Sequence, residues 1–160
     1  ARPAGDDYYR WVLKASTTTA MTPEEIHQLG IDTLRSLHGR MDPILRSLGY
    51  TEGSVGQRML AINQDPRFLF PAGDAGRAQI LSFIQDRIAI IRGKMPQAFR
   101  TLVRGNVEVR RLPPEEEPGA PGAYGGAGSI DGTIPGKFWI NLKDGHDHNR
   151  MSLPTLTHHE

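Results

Sequence analysis

The chain has 160 residues, enough for one domain that buries roughly 70% of the surface its unfolded form exposes. A hydrophobic fraction of 38% beside 23% charged residues is the composition of a globular protein, and the formal net charge of +1 excludes a field strong enough for polyanion binding. The absence of cysteine excludes disulfides, thiolate metal sites and cysteine nucleophiles, while leaving the compartment open.

In chain order, Asp6 to Lys14 reads as a short amphipathic helix with Tyr8, Trp11 and Val12 on one face. Thr22-Pro23-Glu24-Glu25 is a helix start: a Thr cap, Pro in the first turn and Glu three residues on. Behind it Ile26, Leu29, Leu34, Leu37, Met41, Leu45 and Leu48 recur near helical spacing, and Gly49 supplies a stop. Pro43 inside this run is expected to kink the helix or divide it. A shorter helix is expected over Ser54 to Asn63, then a break at Pro66 and Pro71. Asp74 is expected to cap the next helix, where Ile80, Ile84, Ile88 and Ile91 form a stripe widened by Leu81 and Phe83, with Gly93 and Pro96 ending it. His27 and His38, on the long helix, read as surface or boundary residues.

Past Gly105 the pattern changes. Val107 to Leu112 alternates apolar and polar, as a strand with one buried face does. Pro113 to Gly136 is a Gly- and Pro-rich loop with Tyr124 and Ile130 as its anchors, and it lacks the spacing of a phosphate cradle. Lys137 to Leu142 reads as a second strand, with Phe138, Ile140 and Leu142 on one face and Trp139 and Asn141 on the other. Lys143 to Arg150 is a polar loop, and Ser152-Leu153-Pro154 starts a final helix. The expected class is mainly α with a small antiparallel β element (α+β). Its expected parts are a helical segment at 1–105, a small sheet with its loop at 106–150, and the start of a further helix at 151–160. The opening without Met and the stop at Glu160 inside a helix start read as cut ends. No run is apolar and long enough to span a bilayer.

His159-Glu160 on the final helix is a pair with chemical potential. A zinc hydrolase places a metal-binding His beside a Glu on a helix, with a second His further along; the Glu acts as general base on metal-bound water. Taken alone, the dipeptide reads as two exposed helix residues, and the chemical reading needs context. Asp144, His146, Asp147 and His148 form a second cluster of ligand types, in a loop that promises no fixed geometry.

The run Leu153-Pro154-Thr155-Leu156-Thr157-His158-His159-Glu160 resembles the opening of the hallmark helix of a bacterial family, domain-of-unknown-function family 885. That hallmark reads T-x-H-E-x-x-P-G-H-H and is related by pattern to gluzincin-type metallopeptidases. Asp7-Tyr8-Tyr9, the segment Thr22 to Gly30, Val107-Glu108-Val109 with its Pro-rich follower, Ala123-Tyr124, Asp131-Gly132 and Gly136 to Asn141 resemble other family elements in the same order. The likeness thus covers nearly the whole chain.

The resemblance implies a helical zinc-peptidase-like scaffold, incomplete here. It makes Glu160 the catalytic base, His159 a ligand of Zn2+, and His158 a less favoured ligand, a donor to a group behind the ligands or a polar neighbour on the helix. The next His of the pattern follows a Pro-Gly, so it is not simply one turn on. Phe138 to Leu142 becomes the expected substrate-binding strand, with Trp139 and Asn141 facing the cleft, or else in the core and at a turn. Tyr124 is an oxyanion donor or a loop anchor. The implied partners are a peptide substrate and the remainder of a longer chain, with no nucleic acid. The implied location is periplasmic or secreted, with the cytoplasm as the alternative. Two other readings stay open: a non-catalytic helical binding module, and a metal-dependent hydrolase of non-peptide amides or esters.

Overall fold

The computed structural model describes residues 3–144 and 148–160. The elements run α1 (Gly5–Thr17), α2 (Pro23–Ser47), α3 (Val55–Asn63), α4 (Gly73–Ala98), β1 (Val107–Arg111), β2 (Ala123–Gly126), β3 (Gly136–Ile140) and α5 (Leu153–His159). The protein is mainly α with a small sheet, as its patterning implies. It divides into two compact units, one up to Leu60 and one from Ala61 to Glu160.

The first unit is built by its caps. The Thr22 hydroxyl accepts from the Glu25 amide at 3.2 Å, and the Glu25 carboxylate accepts from the Thr22 amide at 2.7 Å, a reciprocal capping box. At the other end of α2 the Tyr50 amide donates to Leu45 and the Gly49 amide to Arg46, with Gly49 at φ 92°. This is the paired closure that a glycine beyond a helix end permits. Of the two outcomes expected at Pro43, division does not occur: α2 runs through it. It stands near the C-terminal end, where its missing N–H removes a single rung. Asp42 instead fastens the turn that follows: it pairs with Arg46 at 2.8 Å and with buried Arg58 at 2.6 Å. Ser54 and Gln57 cap α3 reciprocally in the same way.

In the second unit, α4 starts one residue before Asp74, which bonds Arg77 within the helix and caps nothing. Gly93 and Pro96 do not stop α4, which continues to Ala98. A glycine costs a helix only about 1 kcal/mol, and a proline in the last turn breaks one bond. Ile80 and Ile84 of the expected stripe are fully buried, together with Phe70, Phe138, Ile140, Leu142 and Leu153.

The sheet order is β1-β3-β2. The two strands expected from alternation are neighbours, yet they run parallel, Val107 facing Gly136 and Arg111 facing Ile140. Parallel neighbours need a long crossover, and the Gly- and Pro-rich stretch between them provides it. The antiparallel pairing comes from β2, formed within that stretch and missed in the sequence: Ala-Tyr-Gly-Gly has almost none of the side chains that mark a strand. In register, Val109, Phe138 and Gly125 share the inner face, against which α4 and α5 pack. Arg110, Trp139 and Tyr124 share the outer one.

The end of β3 is clamped on both sides. The Leu142 amide donates to Glu117 Oε1 at 3.0 Å, and its carbonyl accepts from Arg77 Nε at 3.0 Å.

Candidate functional site

The His-Glu helix is positioned by the segment just before it. Asn149 is buried, and its side-chain oxygen accepts from the amides of Met151 and Ser152, both at 2.9 Å. Those are orphan donors at the helix start, so Asn149 is the side chain that nucleates α5, with Ser152 following it. The Asn149 amide group also reaches Asn63 at 3.3 Å, and the Arg150 amide donates to Phe68 at 2.9 Å. His148, buried beside it, donates from Nε2 to the Asn141 carbonyl at 2.7 Å. That bond gives His148 a structural role. Of the loop cluster flagged in the sequence, His146 and Asp147 lie outside the described residues.

Helical spacing then sorts the side chains of α5. Leu153, Leu156, Thr157 and Glu160 fall on one face, and the first and third are buried. The Thr157 hydroxyl donates to the Leu153 carbonyl at 2.7 Å, which satisfies it inside the core. His158 turns to one side and donates from Nδ1 to the Pro154 carbonyl at 2.6 Å. His159 is exposed and makes no hydrogen bond or ion pair among the described residues.

Glu160 lies against the sheet. A Cβ built on Gly125 would stand 2.9 Å from its Oε2, so the exposed Glu160 side chain reaches β2 at Gly125. The same carboxylate borders an apolar cavity of about 230 Å³ on the inner side of the sheet, walled by Ile88, Ile91, Met95, Val107 and Phe138. His158 and Arg92 also line it.

The free edge beside Glu160 belongs to β2. The Asn141 amide donates to the Gly122 carbonyl at 2.9 Å. By antiparallel alternation Tyr124 and Trp139 then exchange bonds, and the amide and carbonyl of Gly125 face outward from the sheet. The strand expected to receive substrate, Phe138 to Leu142, is instead central, with both edges taken by β1 and β2. An extended peptide cannot add to it.

The other expected binding residues lie apart from this carboxylate. Trp139 is half-buried on the outer face, with Arg110 at 6.0 Å and Lys137 at 5.8 Å from its ring centroid. Tyr124 is beside it on that face, so neither is brought together with Glu160. Asn141 donates to the carbonyls of Glu117 and Ala120 and accepts from the Lys143 amide, which spends its side chain on the turn after β3. Sequence reasoning missed Gly125 and Asn149. The first left no signal inside a Gly-rich stretch; the second had one, an Asn three residues ahead of a Ser-Leu-Pro helix start.

For zinc, the donor types are right and their number is not. His159 and Glu160 are adjacent, and among the described residues no group of three or more metal-ligating side chains gathers in one place. A catalytic zinc needs about three protein ligands, so these residues do not complete such a site.

A small mixed sheet with a His-Glu helix packed across one face defines the architecture, and that architecture exists in a solved structure. The chain superposes with a TM-score of 0.92 on a "putative lipoprotein" from Colwellia psychrerythraea, at 41% identity over 100% of its own length. It spans 27% of that relative's chain. The family model described as "Bacterial protein of unknown function (DUF885)" matches residues 1–160, and the chain belongs to that family. No curated protein matches it. No helix among the described residues is long and apolar enough to cross a membrane.

Proposed function

We propose that this chain supplies the scaffold and the first catalytic residues of a zinc-dependent peptidase, within a longer polypeptide that brings the remaining ligands. The observation that carries the reading is the Glu160 carboxylate beside Gly125 of the free-edged strand β2, on the helix that bears His159, with a cavity lined by the same glutamate. An extended peptide added along β2 would hold its backbone beside that carboxylate. Glu160 is then placed to take a proton from the attacking water, and His159 to donate an imidazole nitrogen to the metal. Zinc, when bound, would supply polarisation of the carbonyl and acidify the water. The relative's description as a lipoprotein supports a location outside the cytoplasm for the longer polypeptide.

The test is zinc content and peptide turnover measured together in the longer polypeptide. Glu160→Gln is expected to keep zinc and lose turnover by a factor of about 100 or more, because the amide keeps the shape but cannot accept the proton. His159→Ala is expected to lose zinc and turnover together, and His158→Ala to be milder than either. The 160-residue chain alone is expected to show no turnover. Near-normal turnover in Glu160→Gln removes Glu160 as base. Zinc kept by His159→Ala and lost by His158→Ala transfers the ligand role to His158.

A further inference from the structure

The cavity beside Glu160 carries a feature that catalysis by a carboxylate does not call for. Its walls are apolar, from α4, β1 and β3, yet Arg92 lines it as well. Arg92 has no acidic partner among the described residues; its only polar contact is with the side-chain oxygen of Asn106, a neutral group. Glu160 lines the same cavity without forming an ion pair with Arg92. A guanidinium beside apolar walls, held by a neutral amide alone, retains donors in the planar fork that suits a carboxylate.

We propose that this cavity binds the C-terminal residue of a peptide, with a bulky apolar side chain inside it and the terminal carboxylate on Arg92. Three observations select that ligand together. About 230 Å³ is room for an aromatic or large aliphatic side chain. Arg92, with no acidic partner among the described residues, favours an anion, and Glu160 on another wall disfavours an anion at its own end, which orients the ligand. In that orientation the carboxylate end points to Arg92 and the preceding peptide bond points to Glu160. The inference rests on the peptidase reading for its use, naming the substrate class as peptides cut next to an apolar C-terminal residue. Binding itself does not require hydrolysis.

The experiment is therefore a binding titration of the 160-residue chain, followed by chemical shifts. The probes are N-acetyl-L-phenylalanine, its C-terminal amide, and N-acetylglycine. The acid is expected to saturate, the amide to bind at least about tenfold more weakly, and the glycine compound to bind less than the acid by a similar factor. Arg92→Gln is expected to erase the preference for acid over amide with an unchanged far-ultraviolet spectrum, since Arg92 is exposed on α4. Met95→Trp, which fills the cavity, is expected to abolish binding of all three. Glu160→Gln is expected to bind the acid as well as the parent or better. A failure of the peptidase reading would show as absent turnover in the longer polypeptide with this binding pattern intact. No saturable binding, equal affinity for acid and amide, or a preference that survives Arg92→Gln overturns the proposal.

Discussion

Glu117 is buried, and its two carboxylate oxygens meet Arg111 Nε at 2.7 Å and Arg111 Nη2 at 2.9 Å while one of them also accepts from the Leu142 amide. These bonds tie the crossover after β1 to the end of β3, and the Arg111 guanidinium holds the Glu117 carboxyl below the usual carboxylate range, against the cost of burial. Glu117→Gln leaves Arg111 without its charge partner and is expected to cost about 2–3 kcal/mol at neutral pH, measured by urea unfolding. The sign of the pH dependence follows from a folded-state pKa that is depressed. The stabilisation is whole above the unfolded value of about 4.5 and fades as the pH falls through the lower folded one. The gap between parent and Glu117→Gln is therefore expected to narrow in acid; a gap that is constant from pH 7 to pH 3 would remove the charge as its cause. In the sequence Glu117 is one of three consecutive glutamates, and nothing local separates it from Glu115 and Glu116. Only the sheet selects it, which is also why Gly125 was not legible: its importance is a distance to Glu160, and a glycine among glycines carries no trace of that.

Elements were legible where local chemistry fixes them and illegible where tertiary pairing does. The box at Thr22 and Glu25, the closure at Gly49 and the stripe of Ile80 and Ile84 all act within a few residues, and each stands where the pattern put it. The direction of β1 against β3 is set by a crossover, and β2 exists because its backbone completes the sheet, so neither leaves a periodic signal. The final helix lies between these cases. Its start was visible at Ser152-Leu153-Pro154, but Ser152 makes no side-chain cap of its own and the donors go to Asn149. Asn149→Ala strands those two amides and cuts the link to Asn63, and a lost cap costs about 1–2 kcal/mol. Thermal melting is expected to show that loss, and Asn149→Asp, which keeps the accepting oxygen, is expected to recover most of it. Equal damage from both substitutions would assign the role to the contact with Asn63 instead.

Across the whole molecule, burial is uneven in a way that sets where order is strongest. Among the described residues α1 has no buried side chain, and α2 buries only Leu45. By contrast α4 buries Gly76, Ile80 and Ile84, and β3 buries Phe138 and Ile140. Short helices without a buried face are marginal in water, because propensity alone barely offsets the cost of nucleation. The site residues that matter sit at the rim of the well-buried part, with Thr157 buried, Glu160 one turn further along, and Gly125 on the free edge. Amide hydrogen exchange read at each residue is expected to rank the elements accordingly. The amides of β3 and the middle of α4 should be slowest, those of α5 up to Thr157 close behind, and those of α1 faster by at least about two orders of magnitude. The outward-facing amide of Gly125 should exchange much faster than that of Tyr124, which is spent on Trp139, and that difference isolates the free edge from the strand as a whole. Equal protection at Gly125 and Tyr124 would mean that the edge of β2 is already paired, and would remove the strand on which an incoming peptide was to lie.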